Sequence, residues 1–254
     1  MTEPEIKLLA EALRKTMTST ASGSALRDAL AGLGWREMLA EIPGVAVPLV
    51  FRLLGETGAH APVLADVVGE TPLPYAGGSW VVWESGDVVA GTAMELPLSR
   101  VPGGSALPPE VLAAGRVAVG WWLAGSGRAM LALARQHALD RVQFGRPIAS
   151  FQAVRHRLAE TLVALDGAEA VLRSADGDLS SLLAKAAAGF SALTAARNAQ
   201  QVLGGIGFTA EHPLHHHVKR VLVLDGLLGS ARELTREAGR RVLADGRAPR
   251  LVDL

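Results

Sequence analysis

Apolar residues recur at helical spacing along most of this chain, with polar residues between them. The first such stretch covers residues 3–18, and a second follows Ser24 and ends at Pro43. An apolar stretch from Pro48 to Leu54 and a short one over 61–68 come next. Each pattern is typical of a helix that buries one face. Residues 1–68 are therefore predicted to form a helical region.

The pattern changes in residues 69–106, which contain two short runs rich in β-branched and aromatic residues. These runs are Ser79–Trp83 and Val88–Thr92, and the polar residues 84–87 between them are a hairpin signal. An isolated hairpin is only marginally stable in water. We therefore expect Trp80 or Trp83 to pack against a helix or a partner.

Helical periodicity returns in residues 107–254, with short turns between long stretches. Gly120 and Gly127 would let helices approach closely. Four long helices joined by short turns predict a four-helix bundle, so the fold class is mainly α with a small β segment. The predicted helices are Pro108–Leu139, Ser150–Arg173 with Ser150 as N-cap, Leu179–Val202 and Pro213–Leu243.

Composition narrows the function classes. The 254 residues carry zero formal net charge, which gives no electrostatic case for nucleic acid or an anionic membrane. The absence of cysteine excludes disulfides and thiolate chemistry. Glu3, Glu5 and Lys7 stand where the apolar core of a signal peptide would begin, and charge-free runs are shorter than the ~20 residues of a membrane span. We expect a cytoplasmic protein, and the 49% hydrophobic content predicts a partner that covers apolar surface.

The run Asp140–His156 carries the most specific chemistry. Gly145 and Pro147 suit a break between two helices. Arg141, Gln143 and Phe144 have no such structural explanation, although a surface arginine at a helix end is a common feature. A guanidinium beside an amide and an aromatic ring suits a ligand that has both a phosphate and a flat ring.

The spacing Arg-x-Gln-Phe-Gly-x-Pro-Ile-x-x-Phe-Gln-x-x-x-His closely resembles the flavin-contacting helix corner of the acyl-CoA dehydrogenase family. The later run Gln201–Phe208 resembles the second signature of that family, and together the two cover the C-terminal half of the chain. The resemblance implies FAD as cofactor. Arg141 matches the arginine on the FAD pyrophosphate, and Gln143 and Phe144 match its flanking contacts.

The second signature implies contacts with the ADP half of FAD. Gln201, Gly204 and Gly205 match the family positions that reach FAD held by a neighbouring subunit. The glycine run follows a helix rather than a strand, so it is not a Rossmann fingerprint. Its structural interpretation is a helix C-terminus in the left-handed conformation.

Two features depart from the family pattern. About thirty residues stand where the family has a whole β-domain that walls in the flavin ring and the thioester. Leu228 occupies one position of the family's catalytic glutamate, before Gly229. Gly115 occupies the other, so neither position has an acid. Asp225 is the only nearby substitute, and its shorter, displaced side chain makes it a weak candidate.

Other clusters favour structural interpretations. His212, His215, His216 and His217 lie close in sequence, but neighbouring residues on a helix point to different sides, so no metal is predicted. Trp121 and Trp122 lie in an apolar stretch and are predicted to pack in a core or an interface.

The resemblance therefore implies the non-catalytic subunit of a heteromeric FAD-dependent acyl-CoA dehydrogenase of the steroid side-chain type. The expected partner is a longer homologue that carries the catalytic glutamate, in an α2β2 heterotetramer. One alternative is a self-sufficient homo-oligomeric enzyme that uses Asp225. The other is a purely structural partner without flavin contact.

Overall fold

The computed structural model describes residues 2–84 and 96–248. The N-terminal helices are α1 (Glu3–Ser19), α2 (Ser24–Gly32), α3 (Trp35–Glu41), α4 (Pro43–Thr57) and α5 (Leu64–Val68). Strands β1 (Leu73–Tyr75), β2 (Ser79–Trp83) and β3 (Leu98–Val101) follow. The C-terminal part contains α6 (Pro109–Asp140), β4 (Val142–Gln143), β5 (Arg146–Pro147), α7 (Gln152–Arg173), α8 (Asp178–Leu203), α9 (Leu214–Gly226) and α10 (Ala231–Asp245). The predicted fold class, mainly α with a helical bundle and a small sheet, is confirmed.

Two boundaries in the N-terminal region differ from the prediction. The stretch from Ser24 to Pro43 is two helices, because the backbone of Gly34 adopts a left-handed conformation (φ +81°) that interrupts the helix. Helix α4 starts at Pro43, and Pro48 lies inside it rather than in its first turn. Pro43 and Pro48 could each occupy the first turn of a helix. The apolar residues between them continue the helical pattern, so the helix starts at Pro43.

The three strands form an antiparallel sheet in the order β1-β2-β3. Strand β2 matches the prediction. The predicted turn at 85–87 and the strand Val88–Thr92 lie outside the described residues. The ring of Trp83 stacks on that of Trp122 in α6, with 6.1 Å between the ring centroids, so a tryptophan does attach the sheet to a helix. Trp122 and Trp121 are both buried, as the packing interpretation predicted.

Side-chain contacts define the direction of the bundle helices. Gly120 and Gly127 of α6 lie against Leu172 and Leu165 of α7, so these two helices are antiparallel. Asn198 of α8 hydrogen-bonds to residues 157 and 161 of α7, whereas Ser191, earlier in α8, donates to the carbonyl of Ala164, later in α7, at 2.8 Å. These contacts run in opposite directions along the two helices, so this pair is antiparallel as well. Helices α6 and α8 are therefore parallel, and their C-terminal ends lie at the same end of the bundle. We call this the Arg141 end.

The N-terminal helices and the bundle share one apolar core. At the crossing of α4 and α6, Gly125 lies directly against the backbone of Arg52. Beside this crossing, the buried carboxylate of Glu169 in α7 pairs with Arg128 at 2.7 Å and with Arg173 at 3.2 Å. Such a buried acid is stable only with these partners.

The predicted last helix is two helices. The backbones of Leu228 (φ +59°) and Gly229 (φ +99°) break it, and α10 restarts at a capping box of Ser230 and Glu233. The predicted N-cap of α7 is also wrong. Ser150 ends a short 3-10 turn and α7 begins at Gln152, because a hairpin extends the connection after α6.

Helices α6 and α8 are long and apolar enough, by length and composition, to cross a membrane. In each, 67% of the most apolar window is buried inside the fold. Such burial is what the core helices of a bundle have.

Candidate functional site

The connection between α6 and α7 is a two-residue β-hairpin rather than a simple corner. Strands β4 and β5 pair antiparallel, and the amide of Ile148 donates to the carbonyl of Arg141 at 2.8 Å. The turn residues Phe144 and Gly145 both have positive φ, 55° and 77°. Two such residues suit a tight hairpin turn, which explains the glycine but places Phe144 in an unusual conformation for its type.

The three candidate side chains of this hairpin are exposed. Phe144 is 90% accessible to solvent and meets the ring of Phe151 edge-on at 6.0 Å. The side-chain amide of Gln143 donates to the carbonyl of Val142 at 2.7 Å. Arg141 is exposed and has no ion pair within residues 2–84 and 96–248. The hairpin therefore presents polar groups outward that its own chain does not use.

The glycine run at the end of α8 has an open and a packed part. Gly204 ends the helix with φ +63°, and a Cβ atom at Gly204 or Gly205 would meet nothing within 4 Å. A Cβ atom at Gly207 would lie 2.9 Å from the carbonyl oxygen of Gln200. The first two glycines thus leave backbone open to a ligand, and the third permits packing. Gln201 is exposed beside them.

The fold brings both candidate segments to the Arg141 end. His137 in the last turn of α6 and His212 after the glycine run are close enough to repel each other when charged. Burial is the main cause that lowers the pKa of His212, and His137 contributes next. Burial also lowers the pKa of His137, with Arg141 as the second cause. Both imidazoles therefore carry less positive charge near neutral pH than a free histidine side chain.

The Arg141 end is cationic although the whole chain is neutral. Among the described residues, the exposed acids at this end are fewer than the exposed arginines, and they are Asp140, Glu160 and Glu211. An uneven charge distribution of this kind favours an anionic ligand. The exposed arginines at this end are Arg135, Arg141, Arg146, Arg155, Arg157 and Arg197.

Gly115 and Leu228, the two residues that the resemblance places at base positions, meet in space, and apolar side chains surround them. Leu228 is 1% exposed. A Cβ atom built on Gly115 would lie 2.8 Å from Leu228 Cδ1 and 2.5 Å from Val68 Cγ1. The space at Gly115 is therefore occupied, and none of the described residues places a carboxylate there.

Hydrogen bonds to the backbone hold the turn at Leu228 in place. The amide of Leu228 donates to the carbonyl of Pro74 in β1 at 2.8 Å, and the guanidinium of Arg116 donates to the carbonyl of Leu228 at 3.4 Å. The fully buried Lys185 donates to the carbonyls of Asp225 at 2.9 Å and Gly229 at 2.5 Å. The turn is thus fixed from both sides.

Asp225 has a structural role in the same turn. One carboxylate oxygen accepts the amide of Ala231 at 3.1 Å, at the start of α10. Its charge also opposes the loss of the proton from Lys185, whose pKa burial lowers to about 7. Sequence reasoning missed Lys185. The available signal was that it is the single charged residue between Asp178 and Arg197 in an apolar helix.

The histidine group does not form a metal site in the described part of the chain, where no cluster of three metal-ligating side chains occurs. The rings of His215 and His216 meet at a tilt of 39°, with 3.8 Å between ring centroids. Burial lowers the pKa of His217 to about 4, so its ring is neutral at pH 7.

The exposed residues of the hairpin and the glycine run fit only part of FAD. An exposed guanidinium and bare glycine backbone suit its phosphate and ADP half. At the expected base positions, the leucine and valine side chains of Leu228 and Val68 fill the space beside Gly115.

A model for the acyl-CoA dehydrogenase C-terminal domain matches residues 103–243, which is more than half of the chain. Two relatives from Mycobacterium tuberculosis are similar in sequence. Acyl-CoA dehydrogenase IpdE2 is 40% identical over 115 residues, which are 44% of this chain and 36% of IpdE2. Acyl-CoA dehydrogenase FadE34 is 32% identical over 249 residues, which are 84% of this chain and 33% of FadE34. The chain thus spans about a third of the length of these relatives.

Solved structures show the same fold at low sequence identity. A variant of the Tcur3481-Tcur3483 steroid ACAD superposes with a TM-score of 0.71 at 18% identity, over 96% of this chain and 98% of that chain. The ChsE4-ChsE5 complex from Mycobacterium tuberculosis gives a TM-score of 0.69 at 18% identity, over 98% and 99% of the two chains.

Proposed function

The chain belongs to the acyl-CoA dehydrogenase family, and from that premise we propose that it is the non-catalytic subunit of a heteromeric FAD-dependent enzyme. One contrast carries the proposal. The hairpin and the glycine run leave Arg141, Gln143 and Gly204 exposed, whereas Leu228 fills the position of the family base over Gly115. A chain with this combination can bind part of a cofactor, but it has no base at the expected position to remove a proton from a substrate.

The exposed groups would contact the phosphate and ADP half of FAD held mainly by a partner. Arg141 would pair with the pyrophosphate, while Gln143 and Phe144 would flank it. Gln201 and the backbone at Gly204 and Gly205 would contact the ADP part. When bound, FAD supplies a hydride acceptor for the α,β-dehydrogenation of an acyl-CoA thioester.

The proposed partner is a longer homologue that carries the catalytic glutamate, in an α2β2 assembly. Similarity to a steroid ACAD and to a two-chain complex supports a heteromer and a steroid side-chain thioester as substrate. The Arg141 end also exposes large apolar side chains. Exposed apolar clusters of this kind are typical of interaction surfaces. Their exposed fractions are 44% for Leu139, 54% for Val142, 90% for Phe144, 40% for Ile206 and 70% for Phe208.

Paired amide substitutions test which subunit supplies the base. In the complex with the longer homologue, replacing the partner's catalytic glutamate by glutamine should abolish turnover. Asp225→Asn should retain it, because the amide oxygen can still accept the hydrogen bond from Ala231. Steady-state turnover and flavin content are measured for each variant. Loss of turnover in Asp225→Asn with flavin still bound would instead support a self-sufficient enzyme that uses Asp225.

A further inference from the structure

A second arginine lies on the same face of the hairpin as the two polar candidates. Gln143 and Arg146 are directly opposite each other in the antiparallel pair, so their side chains share a face. Arg141 precedes Gln143 by two residues in extended backbone (φ −78°, ψ 114°) and therefore shares it too. The sequence pattern gave no weight to Arg146, because its position is unspecified in the signature.

The guanidinium of Arg146 is held in place without using its hydrogen-bond donors. Its Cζ atom lies over the ring of Phe151, 4.3 Å from the ring centroid. Phe144 in turn meets Phe151 edge-on. A stacked guanidinium uses its flat face, and the N–H groups on its edge stay available to an acceptor. Within the described residues no carboxylate pairs with Arg146, so its charge and its N–H donors remain available to a ligand.

The spacing of the two arginines suits two adjacent phosphoryl groups. Arg141 and Arg146 are diagonal neighbours across the pair, about 7–8 Å apart at their backbones. Long side chains from such positions can converge on neighbouring oxygens, while Gln143 lies between them. Two guanidinium groups can also share one phosphate, but at this spacing a diphosphate offers each of them its own phosphoryl oxygens without requiring the two cations to crowd together.

We propose that Arg146, stacked on Phe151, is a second diphosphate-binding residue of this hairpin and acts together with Arg141. The inference rests on the proposed function, because the diphosphate is that of the shared dinucleotide. The second guanidinium would make the hairpin select a diphosphate over a monophosphate. It also gives Phe144 and Phe151 a role as the aromatic support of the second guanidinium.

Inorganic pyrophosphate and orthophosphate, titrated into the full-length chain at fixed ionic strength, test the inference. Nitrogen-15 NMR follows the guanidinium signals and yields both affinities. The unsubstituted chain should bind pyrophosphate more tightly than orthophosphate. Arg146→Gln should weaken pyrophosphate binding about tenfold, the effect of one lost charge-assisted contact, with a smaller effect on orthophosphate. Phe151→Leu keeps an apolar side chain but removes the ring, and should weaken pyrophosphate binding about threefold.

Arg135→Gln is the matched control, since Arg135 is an exposed cation at the same end but outside the hairpin. Because it removes one charge from the same cationic end, it should weaken both affinities slightly and equally and leave their ratio unchanged. An unchanged pyrophosphate affinity in Arg146→Gln, with a loss in Arg141→Gln, would overturn this inference alone. Unchanged affinities in both variants would overturn the phosphate contact of the proposed function as well.

Discussion

Arg141→Ala should weaken FAD binding in the complex with the longer homologue by about 10- to 100-fold, the effect of losing hydrogen bonds to a charged group. The side chain is exposed and has no ion pair in the described residues, whereas its backbone amide and carbonyl hold the end of α6 and the hairpin. Alanine keeps those backbone bonds, so the fold should survive. Flavin absorbance per complex after dialysis measures the loss.

Arg135→Ala controls for the change in surface charge, because it removes an exposed arginine from α6, the helix that precedes the hairpin, without touching the hairpin. It should keep the flavin content of the unsubstituted complex. If Arg141→Ala also kept that content, the chain would be a structural partner without flavin contact. Circular dichroism of both variants establishes that any difference comes from binding rather than from folding.

Gly125→Ala should lower the free energy of unfolding by about 3 kcal/mol or more, a large part of the 5–15 kcal/mol typical of a domain. An added Cβ atom would overlap with the backbone carbonyl of Arg52 at the crossing of α4 and α6. Backbone cannot rotate away as a side chain can, so the two helices would have to separate. Urea unfolding followed by circular dichroism measures the change.

Gly167→Ala is the control of opposite sign. Gly167 lies in α7, is exposed, and has nothing within 4 Å of an added Cβ atom. Alanine is a better helix former than glycine, so this variant should be more stable by up to about 1 kcal/mol. A Gly125→Ala protein as stable as the unsubstituted chain would contradict the close crossing.

Much of the fold could be predicted because long amphipathic stretches dominate the chain. Helix α6 was predicted as Pro108–Leu139 and is observed as Pro109–Asp140. The break at Leu228 could not be predicted, because leucine rarely adopts a positive φ and nothing local requires it there. Arg116 and Lys185 donate hydrogen bonds to the carbonyls of Leu228 and Gly229, and the amide of Leu228 donates to the carbonyl of Pro74. These partners hold that conformation, and they come from distant parts of the sequence.

The candidate site was predicted in part for a similar reason. The signature marked Arg141, Gln143 and Phe144, and the structure places all three on an exposed hairpin. The role of Arg146 depends on strand register and on the ring of Phe151, which spacing alone does not show. Likewise, counting residues placed Leu228 and Gly115 at base positions. Their mutual contact appears only when α6 and the α9–α10 turn are packed together.

We propose that this chain binds the phosphates of a flavin but does not oxidise a thioester by itself. Anaerobic mixing of the FAD-supplemented chain with a steroid side-chain CoA thioester, followed by visible flavin absorbance, tests it most directly. The flavin should stay oxidised with this chain alone and should be reduced when the longer homologue is added. Reduction by this chain alone would contradict the account.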